Sequence, residues 1–414
     1  MKIALKALFI LLRTLAVILL VIAAYVMWGF LVAPVYRFAP AEPFRGERIY
    51  NPYAGTTDST RWFRANLHAH TYLRFGLTYG AKTPEGMVAD YRSYDYDIIG
   101  LSNYMTITRY EPAGRDAYNI PVYEHGYNPL LFHQLVFGAR GLTAFDIPLP
   151  VFPFQKQFVL ERVGRNADIF VVNHPAFSRG FPVRAMNKLQ GYRLIEAESG
   201  MAASARYWDT GLSAGRASFC LSGDDSHDTS RPHDIATDCS FIAARSTKYA
   251  DILEALRAGR HYAMKIPNFG DGDTTVKHAM NRLLPRVTRV GMRGDTIEVA
   301  FSQPASQIAF IGQGGATVLT VADTAAAKYL FGEGDTYIRV GATFPNGVHI
   351  FLNPFFRYSG EDPFAIAPLR VRLAATMSKD LVCMALIVVS LWTVYRTIKP
   401  YRRNGKGKGA ARYR

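Results

Sequence analysis

Residues 14–33 read TLAVILLVIAAYVMWGFLVA, twenty positions without a charge. A stretch of that length and composition spans a hydrocarbon core of about 30 Å as a helix. It ends without a small-x-small cleavage site, and Trp28 and Tyr36 sit where interfacial aromatics are expected. It therefore reads as an uncleaved signal anchor rather than a cleaved signal peptide. A second run, Leu381 to Ile398 (LVCMALIVVSLWTVYRTI), is followed by the basic tail YRRNGKGKGAARYR. Its Arg396 can snorkel to the interface, and the flat apolar run favours a second span over a buried amphipathic helix. Lys and Arg flank the outer ends of both runs, so both termini are expected in the cytoplasm and residues 35–376 outside it. The expected partition is 1–35 anchor, 36–57 linker, 58–265 first domain, 266–376 β-rich domain, 377–398 second span and 399–414 cytoplasmic tail. The lipid bilayer is thus an expected partner, and the tail adds attraction to anionic head groups.

Charge has to be located before it is interpreted. Residues 1–33 hold three cations and residues 396–414 hold eight, in both cases without an acid, so eleven of the formal +15 belong to the ends. The body carries only the remainder, and no nucleic acid is expected as a partner. Half the residues are apolar, which excludes a disordered chain. The three cysteines, Cys220, Cys239 and Cys383, form no CxxC pair, so a thiolate zinc site has no support. Cys220 and Cys239 can pair in an oxidising compartment or remain buried thiols; both readings stand.

Between the spans, short apolar runs alternate with helical patterns from Arg61 to about Lys265. RWFRANLHAH, YDIIGLSN, IPVYEHG, LLFHQLVFG, DIFVVNHP, YRLIEAE and ASFCLSGDD read as strands. EGMVADYRSY after Thr83-Pro84, FVLERVGRNA and KYADILEALRAGR read as helices. The alternation predicts an α/β fold with a mainly parallel sheet or barrel and function at the strands' carboxyl ends. After Lys265, segments such as DTIEVAFSQ, ATVLTVA and VHIFLNPFFRY predict a small antiparallel β domain, with Pro345-Asn346-Gly347 as a turn between strands.

The strand ends carry the chemistry: His68 and His70, Glu124 with His125, His133, His174, then Asp225 and His227. A lone histidine is usually a core or surface residue. Five separate ends that each offer an imidazole or a carboxylate are another matter. An HxH pair straddles its strand, so both rings reach one ion only where the strand terminates. A carboxylate able to bridge two cations, with imidazoles around it, builds a two-metal site for phosphoester hydrolysis.

In order and spacing, LHAHT, TPEGMV, YDIIGLSN, PVYEHG, HQLVFG, VVNHP and SGDDSHD resemble the motifs of the PHP (polymerase and histidinol phosphatase) superfamily. The resemblance covers about residues 61–264, and the GRHYAM segment and β-rich tail are similar to those of members with an accessory β domain. It implies a distorted (β/α)7 barrel, flanked here by two transmembrane helices, with metal ions at its C-terminal mouth. It further implies that His68, His70, Glu124 and Asp225 hold one ion, that Glu124 bridges to a second held with His133 and His174, and that His227 belongs to a third site. The chain departs from the family pattern at Tyr79 and at Asn103-Tyr104, where further ligands of that third site are usual. Neutral tyrosine, with its ordinary pKa of about 10, is a poor ligand. The expectation is therefore two divalent ions (zinc, manganese or iron, given the mixed N/O ligand set). Catalytic roles fall to Glu124, Asp225 and His227, the last as general acid or substrate contact. Asp224 is either a partner that orients an imidazole or a turn acid. Arg74, Arg179 and Arg231, with Arg109, follow the ligand motifs and either grip a phosphate or are solvated. Tyr72, Tyr79, Tyr104 and Phe177 share those loops, and if they line the pocket they favour a partly apolar substrate.

The function expected is hydrolysis of a phosphomonoester or phosphodiester at the cell envelope, on a phosphorylated or ester-containing small molecule or envelope component. The alternatives are a hydrolase of a non-phosphate ester, a non-catalytic metal- or ligand-binding module, and a purely structural membrane protein, which leaves the ordered ligand set unexplained.

Overall fold

The computed structural model describes residues 2–57, 59–72, 80–108 and 120–398. The chain divides into two units, one made of the two ends up to Val35 and from Val371, the other of Tyr36–Arg370.

The first unit is two helices, α1 (Lys2–Val32) and α7 (Leu373–Ile398), which pack against each other. Both are long and apolar enough to cross a membrane. α7 begins eight residues before the apolar run that predicted it. Its first turns hold Lys379 and Asp380, which pair at 2.5 Å, and Lys379 Nζ also donates to the carbonyl oxygen of Phe30 at 2.5 Å. A lysine with both partners supplied is tolerated near a helix start.

In the second unit the chain runs β1 (Tyr36–Arg37), β2 (Arg48–Tyr50), β3 (Trp62–Asn66), α2 (Pro84–Ser93), β4 (Ile98–Ile99), β5 (Val122–His125), β6 (Gln134–Phe137), α3 (Pro153–Gly164), β7 (Ile169–Val172), β8 (Leu194–Ser199), α4 (Ala205–Ser213), β9 (Phe219–Gly223), β10 (Asp238–Ala243), α5 (Tyr249–Ala258) and β11 (His261–Lys265). It continues through α6 (Thr274–Arg282), β12 (Val287–Arg293), β13 (Thr296–Ile311), β14 (Thr317–Leu330), β15 (Tyr337–Thr343) and β16 (His349–Tyr358). The local signals hold where they were strongest. Thr83 caps α2 by accepting from Gly86 N at 3.2 Å with Pro84 at the first position, and Met87 and Tyr91 bury one face of that helix. Gly347, at φ +82°, makes the turn between β15 and β16.

The fold is mixed α/β, with two large sheets besides a two-stranded one that contains β1. β5-β6-β7-β8-β9 form one. The other contains ten strands in the order β12-β13-β15-β16-β11-β10-β3-β4, with β14 on β13 and β2 on β16. The sheet expected to be mainly parallel is not: only β3–β4, β7–β8 and β8–β9 pair in parallel. Between β5 and β6 only eight residues intervene, too few for a helical crossover, so that pair is antiparallel. The strands after residue 265 continue the same sheet as β3 and β10, because β11 pairs with both β10 and β16. One apolar core runs through both stretches, from Met87, Tyr91 and Leu101 to Ile308, Phe310 and Phe355. Within the Pro-rich segment 36–57, Tyr53 is buried, donates to His261 O at 3.1 Å and accepts from Asn353 N at 2.7 Å. Cys220 and Cys239 are free and buried.

His261, buried, and His349, half-buried, give this unit an acid limit. Burial lowers the His261 imidazole to about 3 and that of His349 to about 4. Unfolded, both bind a proton near 6.5. Below that pH the unfolded chain holds more protons than the folded one, so stability is complete above about 6.5 and falls as pH drops towards 4. Each adds a slope of up to about 1.4 kcal/mol per pH unit. Urea titrations at pH 7.5, 6 and 5 should show that slope reduced in His261→Gln; an unchanged slope refutes the assignment.

Candidate metal centre

The first ligand pair arises where β3 stops. Regular pairing ends at Asn66, and the chain continues through Leu67 to His68, Ala69 and His70. Ala69 makes an isolated parallel bridge with Ser226, fixed by Asp225 N to His68 O (3.0 Å) and His70 N to Ser226 O (2.8 Å). A second bridge joins Tyr104 to Glu124. The ligand-bearing ends are thus hydrogen-bonded directly to one another. His133 enters from the start of β6, a place an all-parallel arrangement would put at the wrong end; its antiparallel pairing with β5 brings His133 to Glu124.

His68, His70, Glu124, His133, His174 and Asp225 are each no more than 4% exposed. His68 Nε2 lies 3.5 Å from Glu124 Oε1 and 3.2 Å from Asp225 Oδ1. His70 Nε2 lies 3.2 Å from Glu124 Oε2 and 3.1 Å from Asp225 Oδ1. Glu124 Oε1 is also 3.2 Å from His133 Nδ1 and 3.4 Å from His174 Nε2. Two groups capable of holding a cation result, His68–His70–Glu124–Asp225 and Glu124–His133–His174, and they share Glu124.

The chemistry of the donors fits divalent ions. Bonds of 2.0–2.2 Å place neighbouring ligand atoms on a tetrahedron about 3.4 Å apart, which is the spacing found. His68 Nε2, His70 Nε2, Glu124 Oε2 and Asp225 Oδ1 are fully buried yet have no hydrogen-bond partner. Orphaned donors and acceptors facing one point are what a cation would satisfy.

The electrostatics agree. Burial pushes the Glu124 carboxyl up, but the summed pull of His133, His68 and His174 reverses this and holds it well below the carboxylate range. Asp225, likewise buried, is brought to about 2 by His68 and His70. Burial opposes charge on His68, yet Asp225, Glu196 and Glu124 raise it well above its usual value; His70 and His174 move the same way. The centre is a focus of negative field.

Backbone conformation adds to this. His174 (φ +24°) and Asp225 (φ +51°) both occupy the left-handed region that non-glycine residues avoid. Such conformations persist only where the surroundings over-determine them, and they cluster at functional sites.

The sequence missed one residue here. Glu196, buried mid-strand in LIEAES, accepts from His68 Nδ1 at 2.9 Å and from His174 N at 3.0 Å. An acid inside a fully buried strand was the available signal. Asn173 Nδ2 similarly donates to Glu124 Oε1 at 2.8 Å. Partners of this kind set ligand orientation, and their loss costs about 10–100-fold in metal affinity. Glu196→Ala should weaken metal retention by that factor in competition with a chelating dye; unchanged retention would show the contact to be incidental.

Other expectations come out differently. Asp224 touches no imidazole and is no exposed turn acid. It is buried, and accepts from Ala236 N, Thr237 N, Thr237 Oγ1, Asp238 N and Tyr91 Oη at 2.8–3.0 Å. His125, next to Glu124, faces away and bonds Gln134 and Phe145 O, as strand alternation requires. His227 lies outside both ligand groups. Its side chain is 30% exposed, its ring stacks on His70 at 4.5 Å, and its Nδ1 is 2.9 Å from Asp225 O. Burial and the neighbouring His70 lower its pKa. Tyr104 does sit in the centre, stacked on His70 at 4.6 Å with its hydroxyl 3.4 Å from His133 Nδ1. Burial, then Glu124 and Asp225, raise its phenol, so it is neutral. Arg231 is exposed and paired with Asp228 at 3.1 Å, and Arg179 is exposed. Among the described residues, no Arg or Lys forms an ion pair with Glu124, Asp225 or Glu196. Arg74, Tyr79, Arg109 and the basic tail lie outside the described residues.

No family model matches the chain, and no curated protein does. Among solved structures, it is similar to a two-domain protein containing a predicted PHP-like metal-dependent phosphoesterase from Bacteroides vulgatus ATCC 8482. The identity is 11%, with 77% of this chain and 99% of that chain covered, at a TM-score of 0.35. A likeness that distant bears no weight, and the functional reading rests on the centre itself.

Proposed function

We propose that this chain is a metal-dependent hydrolase whose centre holds two divalent ions, zinc, manganese or iron, and cleaves a phosphomonoester or phosphodiester at the cell envelope. The observation that carries the reading is Glu124, completely buried and shared by two sets of imidazoles whose ring nitrogens face its two oxygens at 3.2–3.5 Å. Strands β3 to β9, closed by the Ala69–Ser226 and Tyr104–Glu124 bridges, are read as a distorted seven-stranded barrel of the PHP type, with the β-rich strands after residue 265 as its accessory part.

In this reading His68, His70, Glu124 and Asp225 hold one ion, and Glu124, His133 and His174 the other. Ions held there would supply Lewis acidity to the ester oxygens and acidify water for the attack. Glu196 and Asn173 keep the ligands in register. Burial of the centre excludes bulk water and strengthens every charge interaction inside it. His227, stacked on His70 and partly open to solvent, would contact the substrate or, when protonated, give its proton to the leaving group. The flanking charges of α1 and of the tail support an extracytoplasmic catalytic unit. A second reading, hydrolysis of a neutral ester, is favoured by the lack of an ion-paired Arg or Lys at the centre among the described residues.

The test is elemental analysis of the purified full-length protein, with phosphomono-, phosphodi- and carboxylic-ester assays before and after chelation. Two ions per chain and phosphoester turnover abolished by chelator are expected. Activity indifferent to chelator, or a chain that binds no ion, defeats the proposal.

A further inference from the structure

Three loops meet beside the centre and are tied together unusually well. One, Leu130–Phe132, leads into His133; another runs from His174 to Phe181; the third ends at Val151 before α3. Arg179 N donates to Leu130 O at 2.7 Å, and Ser178 Oγ donates to Leu131 O. Lys156, fully buried in α3, reaches up to the carbonyl oxygens of Pro150, Val151 (3.3 Å) and Gly180 (3.0 Å). Three acceptors satisfy its three protons, so the lysine is a fixed clamp between two of the loops. Gly180, at φ +65°, is flanked by the side chains of Leu130 and Val151, which a Cβ there would meet at 3.5 and 3.8 Å.

Beside the exposed Arg179, the clamped loops present apolar side chains. Val151 is 39% and Phe177 43% exposed, and the Phe177 ring stands edge-on to His174 at 5.7 Å. Holding apolar side chains rigidly against solvent at the border of a charged centre is unfavourable unless something covers them.

We infer that this wall of Leu130, Val151 and Phe177 receives the alkyl part of the substrate, so that the ester cleaved at the centre belongs to an amphiphilic phosphoester. The inference rests on the phosphoesterase reading and adds the substrate class to it. Two features favour an alkyl chain as occupant. Phe177 borders the centre through its contact with His174, its loop is tied to Leu130 by Arg179 N, and the same chain carries two helices apolar enough to cross a membrane, where amphiphiles concentrate.

The experiment uses the metal-loaded full-length protein in lipid nanodiscs and a series of alkyl phosphates from ethyl to octyl. Full burial of a methylene is worth about fourfold and contact on one side about twofold, so kcat/KM should rise about twofold per methylene. Val151→Ser and Phe177→Ser should each flatten that slope, whatever they do to the absolute rate. In parallel, octylphosphonate should bind the native protein at least tenfold more tightly than ethylphosphonate by calorimetry, and that preference should shrink in both variants. A flat slope in the native protein overturns the inference. So does a slope kept by both variants, which would mark partitioning of the probe into the bilayer. Failure of the underlying reading looks different: no alkyl phosphate is hydrolysed at any length, while the binding comparison still decides the wall.

Discussion

Glu124→Ala should leave a folded protein without its ions. The carboxylate is the sole residue common to both ligand groups, so its removal takes a ligand from each at once. Elemental analysis should find fewer than one ion per chain. Phosphoester turnover should fall on the order of 10³-fold or more, since the ions supply several kcal/mol of barrier lowering. Glu124→Gln is the sharper variant. It keeps the shape and the hydrogen bond from Asn173 Nδ2 to Oε1, provided its amide nitrogen takes the Oε2 position, but it cannot bridge as a carboxylate does. Circular dichroism of both variants should match the native protein. Two retained ions in Glu124→Gln would show that the acid does not bridge, and the shared-ligand description of the centre would fail with it.

Asp224→Ala, one residue before a ligand, should do the reverse, with its first effect on folding. Five donors converge on this one buried carboxylate, three of them backbone N–H groups of residues 236–238. Truncation strands those donors in the interior at about 1–3 kcal/mol each, comparable in sum with the roughly 5–15 kcal/mol that holds a domain together. Loss of soluble protein, or a denaturation midpoint lowered by most of its range, is expected. Asp224→Asn should be milder. Its amide can keep the three contacts to Oδ1 and lose the two to Oδ2, from Tyr91 Oη and Ala236 N. A stable Asp224→Ala protein would mean that residues 236–238 find other acceptors.

The contrast between these neighbours shows what a sequence can and cannot display. Asp224 and Asp225 are indistinguishable as letters. The left-handed φ of Asp225 turns its carboxylate into the centre, while Asp224 points into the segment before β10. The histidines at 68, 70, 133 and 174 were legible because an imidazole at the end of an apolar run has few other reasons to be there. Glu196 was not, because the acids in LIEAES fall inside the run and nothing in their spacing says which imidazole they will meet. The alternation of strands and helices was legible, but pairing direction was not. Whether a strand runs parallel depends on how the chain returns, and the short link between β5 and β6 forces a reversal that the motif order conceals. Charge patterning located the apolar helices; the earlier start of α7 depended on an acceptor for Lys379 in α1, some 350 residues away along the chain.

The junction at residue 265 bears on how this protein can be taken apart. β11 is hydrogen-bonded on one side to β10 and on the other to β16, so a cut just after it would leave a raw sheet margin along Tyr262–Lys265, and would bare apolar surface that now meets Ile350 and Leu352. Unpaired margins of that kind recruit one another and aggregate. The unit of residues 36–370 keeps β10, β11 and β16 together, and a fragment drawn around the metal ligands alone would be expected in the pellet, with its chemistry untested for reasons unrelated to chemistry.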